Sequence, residues 1–122
     1  MKHPMIEMII NPTHAQGLRE YSVDLFIELQ TIMDEQKMEE DDLNALSDIA
    51  INIVNFIRDA DNCFVNKSKR YHLYQAQDCI ARLLMDLDYP NLINRLDSTR
   101  LSKKYYELMC RVKETCKKLK AN

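Results

Sequence analysis

A single glycine, Gly17, stands in a chain of 122 residues, and this scarcity restricts the fold more than any other feature of the sequence. Proteins contain about 7% glycine on average, because tight β-turns and phosphate-binding loops need residues that adopt positive φ. The sequence therefore argues against a glycine-rich nucleotide loop, a doubly wound nucleotide-binding sheet and repeated tight β-turns. Because 46% of the residues are hydrophobic, one domain of this length can build a core. We expect a soluble, almost entirely helical domain.

Apolar residues recur at three- and four-residue spacing, the pattern of amphipathic helices. The first helix follows a capping-box pattern at Thr13 and Gln16 and runs to about Lys37. The second begins near the carboxylates of residues 39–42, which favour a helix N-terminus, and ends near Asp61. The predicted buried positions of these two helices are Leu18, Tyr21, Leu25, Leu29, Ile32, Leu43, Leu46, Ile49, Ala50, Ile53, Phe56, Ile57 and Ala60.

Two further helices follow in the second half of the chain. The third follows a predicted turn at residues 66–68 and ends before Pro90, because the residue preceding a proline avoids the α region. Asp97 or Ser98 is expected to cap the fourth. The predicted buried positions are Leu73, Ala76, Ile80, Ala81, Leu84 and Leu87, then Leu101, Tyr105, Leu108, Val112 and Leu119, with Thr115 or Cys116 filling the gap. The sequence predicts an all-α, antiparallel up-down four-helix bundle over residues 13–122.

Residues 1–12 form a predicted N-terminal arm with a cluster of exposed-looking apolar side chains. These are Met5, Ile6, Met8, Ile9 and Ile10. The arm either lies over the end of the bundle or docks on a neighbouring subunit or partner, since an exposed apolar cluster favours association. We take these five residues as candidate partner-binding residues.

The sequence contains no pattern typical of catalysis or metal binding. Cys63, Cys79, Cys110 and Cys116 form no C-x-x-C pair, and no Glu-x-x-His pair of a di-iron bundle occurs. His72 lies between two tyrosines and is interpreted as a surface or rim residue, with a nucleic-acid or subunit contact as the alternative. We expect no enzyme activity, cofactor, metal or small-molecule substrate. Without a membrane-spanning segment or signal peptide, four reduced thiols indicate the cytoplasm.

The net charge of −2 conceals a division between the two halves of the chain. Residues 1–61 carry four Lys or Arg against thirteen Asp or Glu, whereas residues 62–122 carry thirteen against six. Such a division has three explanations: the halves neutralise each other within the fold, subunits associate acidic face to basic face, or the basic half binds a polyanion.

The fourth helix has one face that is basic and free of acids. Lys103, Tyr106, Cys110, Lys113, Lys117 and Lys120 lie on this face, which we call the lysine stripe. Lysines with an exposed tyrosine suit phosphate contact and base stacking, and Lys67, Lys69 and Arg70 extend the patch if the two segments lie side by side. The alternative is a solvated face, or one paired with the acids of the first helix. Lysine lacks the bidentate fork of arginine, so any nucleic acid would be bound with little sequence preference.

Three segments of the second and third helices resemble a known family. Ile49–Ile57, Ser68–Ala76 and Ile80–Leu87 are similar to small bacterial four-helix-bundle proteins. Within that group the Ser68-Lys69-Arg70-Tyr71 opening of the third helix resembles Avd, the accessory variability determinant of diversity-generating retroelements, found in bacteria and their phages. The likeness covers most of residues 18–120.

This resemblance implies a barrel-like homo-oligomer, with a pentamer favoured, and a non-catalytic accessory function. Such a protein binds the retroelement's reverse transcriptase and template RNA and supports mutagenic cDNA synthesis. Avd proteins tend to be strongly basic, whereas this chain is slightly acidic. We therefore expect RNA contact only at the lysine stripe and residues 67–70, which leaves the acidic half for a basic partner such as the reverse transcriptase. The alternative function is a protein-interaction adaptor bundle that binds no nucleic acid.

Overall fold

A computed structural model describes residues 17–88 and 95–119 of the chain. They form four helices: α1 (Leu18–Gln36), α2 (Glu40–Asp61), α3 (Asn66–Leu87) and α4 (Arg95–Lys118). No strand occurs within these residues, so the prediction of an all-α four-helix bundle is confirmed for this part of the chain. None of the described helices is long and apolar enough to cross a membrane.

The four helices surround one core. Extensive packing joins each helix to the next in sequence and α1 to α4, so α1 and α3 occupy opposite corners of the bundle. The predicted α4 positions Leu101, Tyr105, Leu108 and Val112 are all at most 1% exposed, and Cys116 fills the gap that the sequence left open. The other buried core residues are Tyr21, Leu25, Leu29, Ile32, Met33, Leu46, Ala50, Ile53, Ile57, Ala60, Leu73, Ala76, Ile80, Leu83 and Leu87.

Hydrogen bonds between helices pair their opposite ends. Arg70, in the first turns of α3, donates to the Leu119 carbonyl just past the end of α4. Ser98, in the first turn of α4, donates to the carbonyl of Leu87, the last residue of α3. The side chain of Gln36, the last residue of α1, donates to Asp97 at 3.1 Å.

Three details differ from the sequence prediction. Helix α3 begins at Asn66, where a turn was predicted, because the Lys69 amide closes the first helical turn onto the Val65 carbonyl at 3.0 Å. Helix α4 begins at Arg95, so Asp97 and Ser98 lie inside its first turn and bond to α1 and α3. Ala81 was predicted to be buried but is exposed, and Leu83 is buried in α3.

Candidate nucleic-acid interface

The lysine stripe of α4 faces solvent. Lys103, Lys113 and Lys117 are exposed, as is Cys110, and the Tyr106 side chain is 62% exposed. None of the three lysines forms an ion pair or side-chain hydrogen bond with another described residue. Lys120, also predicted for this site, lies outside the described residues. The stripe is therefore an uncompensated positive surface in this part of the chain.

The acids of α1 interact with a different face of α4. Glu28 of α1 accepts a hydrogen bond from Lys104 Nζ at 2.9 Å and lies 3.7 Å from Arg100 Nε. Arg100 also contacts Asp97 at 2.8 Å, so the charge on this face is shared between several partners. The two halves of the chain thus compensate each other at the α1–α4 contact and leave Lys103, Lys113 and Lys117 without an acidic partner among the described residues.

The basic residues at the start of α3 divide into two groups. Lys67 is exposed. Lys69 Nζ donates to the Ala60 carbonyl at the end of α2 at 3.0 Å, and Arg70 donates to the Leu119 carbonyl after α4. Carbonyl groups at a helix C-terminus carry partial negative charge and favour a cation there. The Arg70 contact brings the start of α3 beside the end of α4, but of these three residues Lys67 alone has no backbone partner among the described residues.

A groove of about 370 Å³ separates the last turn of α3 from the first turns of α4. Leu84 of α3 and Asp88, the residue after that helix, form one wall; Thr99, Ser102, Lys103 and Tyr106 are the main α4 residues. The Ser102 hydroxyl oxygen is buried and has no hydrogen-bond partner among the described residues. Lys103 and Tyr106 belong to both the groove and the lysine stripe, so the two features form one continuous surface.

The outer face of α3 carries large apolar side chains that the prediction of site residues omitted. Tyr71, Tyr74 and Met85 are 59%, 53% and 71% exposed, and we call them the α3 outer stripe. In the α2–α3 turn, Phe64 and Val65 are 99% and 58% exposed. The signal was present in the sequence: the tyrosines are three residues apart, out of phase with the buried positions of α3.

Three cysteines and one histidine are partly or wholly buried: Cys63, Cys79, Cys116 and His72. Burial raises the pKa of Cys79 and of Cys116 above the ordinary thiol value, so both stay protonated near neutral pH. Gln77 Nε2 donates to Cys116 Sγ at 3.4 Å. His72 packs edge-to-face against Tyr71 at 5.4 Å, and its buried Nδ1 has no partner among the described residues. No group of three or more potential metal ligands occurs in residues 17–88 and 95–119.

The predicted partner-binding arm lies outside the described residues, as does the Thr13 capping box. Comparison of the chain with protein-family models, with curated proteins and with solved structures gave no match.

Proposed function

We propose that this protein is a non-catalytic accessory subunit of a diversity-generating retroelement, similar to Avd, that binds template RNA and the reverse transcriptase. The observation that carries the proposal is the lysine stripe, whose exposed cations have no acidic partner among the described residues. A solvated face would also be exposed, but salt-bridged surfaces of this molecule place acids beside their bases, as Glu114 and Lys118 do at 3.9 Å. The resemblance at residues 49–57, 68–76 and 80–87 supplies the class of partner.

The lysine stripe would bind the phosphate backbone. Lys113 and Lys117 are one helical turn apart, about 6 Å along the axis, which is comparable with the separation of neighbouring phosphates on one strand. Lysine acts as a point charge with no base-reading geometry, and Tyr106 offers a ring on which a base can stack. This surface therefore suits binding to RNA with little sequence preference.

We also propose that the helices run up and down in antiparallel order and that the bundle assembles into a ring-like homo-oligomer. The paired opposite ends, Arg70 with Leu119 and Ser98 with Leu87, support the antiparallel order. Ring closure needs two different surfaces on each subunit. The α3 outer stripe and Ile27 of α1, which is 55% exposed, lie on opposite corners and support such a contact. The pentamer follows from the resemblance to Avd.

The acidic start of α2 is the surface that we assign to a basic partner. Glu39, Glu40, Asp41 and Asp42 are all exposed. A positively charged reverse transcriptase surface would be attracted to them. We also propose that the protein is cytoplasmic, where cysteines are normally kept reduced.

Reversal of two stripe charges tests the proposal. The variant Lys113→Glu/Lys117→Glu should reduce RNA affinity by at least 10-fold at moderate salt, because two attractive interactions with phosphates become repulsive. The slope of log affinity against log salt should fall by about one unit for each phosphate that is no longer bound. Fluorescence anisotropy with a labelled RNA at several salt concentrations measures both quantities.

Arg58→Glu/Lys118→Glu is the matched control. It changes the net charge by the same amount, but Arg58 pairs with Asp59 on α2 and Lys118 pairs with Glu114 on another face of α4. The control should therefore keep most of the RNA affinity. Equal losses of RNA affinity in both variants would show that the effect comes from net charge alone. Unchanged affinity in Lys113→Glu/Lys117→Glu would reject the lysine stripe as the RNA site.

A protein-interaction adaptor is the second candidate, and the nearly complete exposure of Phe64 favours it. An aromatic side chain of this exposure next to Val65 is typical of a contact between proteins. Under this alternative, Phe64→Asp would abolish partner binding and the charge reversal on α4 would have no effect. A reverse-transcriptase gene beside the gene for this protein would favour the first proposal.

A further inference from the structure

We propose that the groove between the end of α3 and the start of α4 holds one unpaired nucleobase of the RNA strand bound along the lysine stripe, stacked on Tyr106. This inference rests on the proposed RNA-binding function and specifies the form of RNA that the protein selects. On this surface Lys113 and Lys117 bind phosphates of the strand, and the groove binds one of its bases.

The position of the groove supports this assignment. Lys103 and Tyr106 line it and also belong to the stripe. Lys117 lies about 21 Å from Lys103 along the axis of α4. A strand of a few nucleotides that contacts Lys117 and Lys113 can therefore extend to the groove. Its volume of about 370 Å³ lies in the range of small-molecule sites.

The chemistry of the walls suits a base better than a phosphate. The Tyr106 ring and the Leu84 side chain offer apolar surface to a flat aromatic group. Asp88 would repel a phosphate, but its carboxylate can accept hydrogen bonds from the amino group of a base. The Ser102 hydroxyl has no hydrogen-bond partner within residues 17–88 and 95–119, and a base edge can satisfy it after rotation about one side-chain bond.

A preference for single strands follows from this geometry. In a duplex the faces of the bases are stacked on one another, so none is available to Tyr106. Lysine contacts alone would bind single and double strands through the same phosphates. The groove therefore adds affinity only for unpaired RNA.

A comparison of one RNA in two forms tests the inference. A labelled 12-nucleotide strand and the duplex of the same strand are titrated with wild type, Tyr106→Ala and Tyr106→Phe in fluorescence anisotropy. Wild type should bind the single strand roughly 5- to 100-fold more tightly than the duplex, the range of one base–aromatic stack. Tyr106→Ala should lose this preference, and Tyr106→Phe, which keeps the ring, should retain it. Because Tyr106 is 62% exposed, neither substitution removes a core contact.

A second measurement locates the base. A strand that carries 2-aminopurine should show fluorescence quenching on binding to wild type and to Tyr106→Phe but not to Tyr106→Ala. Equal affinity of wild type for both RNA forms, or a preference that survives Tyr106→Ala, would overturn the groove assignment and leave binding by Lys113 and Lys117 intact. Failure to bind either RNA form would overturn the proposed RNA-binding function together with the groove.

Discussion

Tyr105 brings a hydroxyl into the apolar core of the bundle. The residue is 1% exposed, and its Oη has no hydrogen-bond partner among the described residues. The other core tyrosine, Tyr21, is at the edge of the core, where its hydroxyl donates to the Lys104 carbonyl at 3.4 Å and Arg111 stacks over its ring at 5.3 Å. An unpaired buried hydroxyl costs free energy that a phenyl ring avoids.

Tyr105→Phe should therefore stabilise the protein, raising the free energy of unfolding by about 1 kcal/mol. Tyr21→Phe is the matched control, because it removes a hydroxyl that has a partner, and it should lower the free energy of unfolding slightly. Urea denaturation followed by circular dichroism measures both. A clear destabilisation by Tyr105→Phe would indicate that its hydroxyl is bonded in solution.

Burial of Tyr105 and Tyr21 also makes the free energy of unfolding decrease at alkaline pH. Burial raises the pKa of Tyr105 far above its ordinary value, and burial together with Glu107 raises that of Tyr21 to about 12. The unfolded tyrosines ionise near pH 10, so the unfolded chain releases protons that the native state keeps. Their contribution to stability is complete below about pH 10 and is lost as pH rises through 10 to 12 for Tyr21. Denaturation curves at pH 8 and pH 11 should show a smaller loss of stability for Tyr105→Phe than for wild type.

Helix interiors and most helix ends were predictable from the sequence, whereas the starts of α3 and α4 were not. The spacing of Leu101, Leu108 and Val112 is a local property, and all three are buried as predicted. The start of α4 depends on other helices, because Asp97 binds Gln36 of α1 and Ser98 binds the α3 carbonyl of Leu87. Neither caps its own helix, so the local signal pointed to the wrong boundary.

Lys69 and Arg70 hold the ends of two neighbouring helices. Each donates to a backbone carbonyl at the end of a neighbouring helix, so each cation should stabilise that helix end by about 1 kcal/mol. Lys69→Met/Arg70→Met should lower the free energy of unfolding while changing RNA affinity little. Lys113→Met/Lys117→Met removes the same charge and should do the reverse. Denaturation and anisotropy experiments on both variants measure the two effects. Reduced RNA affinity with unchanged stability in Lys69→Met/Arg70→Met would show that Lys69 and Arg70 belong to the RNA site.

The candidate site was partly predictable from the sequence, because one part of it lies on a single helix and the other part forms between two helices. The lysine stripe lies on one helix, and helical spacing alone brings Lys103, Lys113 and Lys117 to one face. The groove could not be foreseen, because it exists only where Leu84 of α3 meets Ser102 of α4 in the folded bundle. The charge division also needed the fold, since only the packing of α1 against α4 shows which basic face Glu28 neutralises.

Assembly is the prediction that involves every helix. A pentamer of the 14.4 kDa chain has a mass of about 72 kDa, which native mass spectrometry separates from smaller species. If the ring joins the α1 surface around Ile27 to the α3 outer stripe of the next copy, Ile27→Glu and Met85→Glu should each reduce the assembly to monomers. Each substitution buries a new charge in an apolar contact between copies.

A mixture of the two variants distinguishes the types of interface. The Ile27→Glu chain keeps an intact α3 stripe, and the Met85→Glu chain keeps an intact α1 surface; the two altered surfaces carry the same charge and repel each other. In a ring built from two different surfaces, one contact re-forms between unlike variants, so the mixture should yield heterodimers of about 29 kDa that grow no further. An interface that pairs the same surface of two copies would instead give homodimers of one variant before mixing. A monomeric wild type would remove the oligomer from the proposal. It would also weaken the proposed similarity to Avd, because that resemblance implies a homo-oligomer.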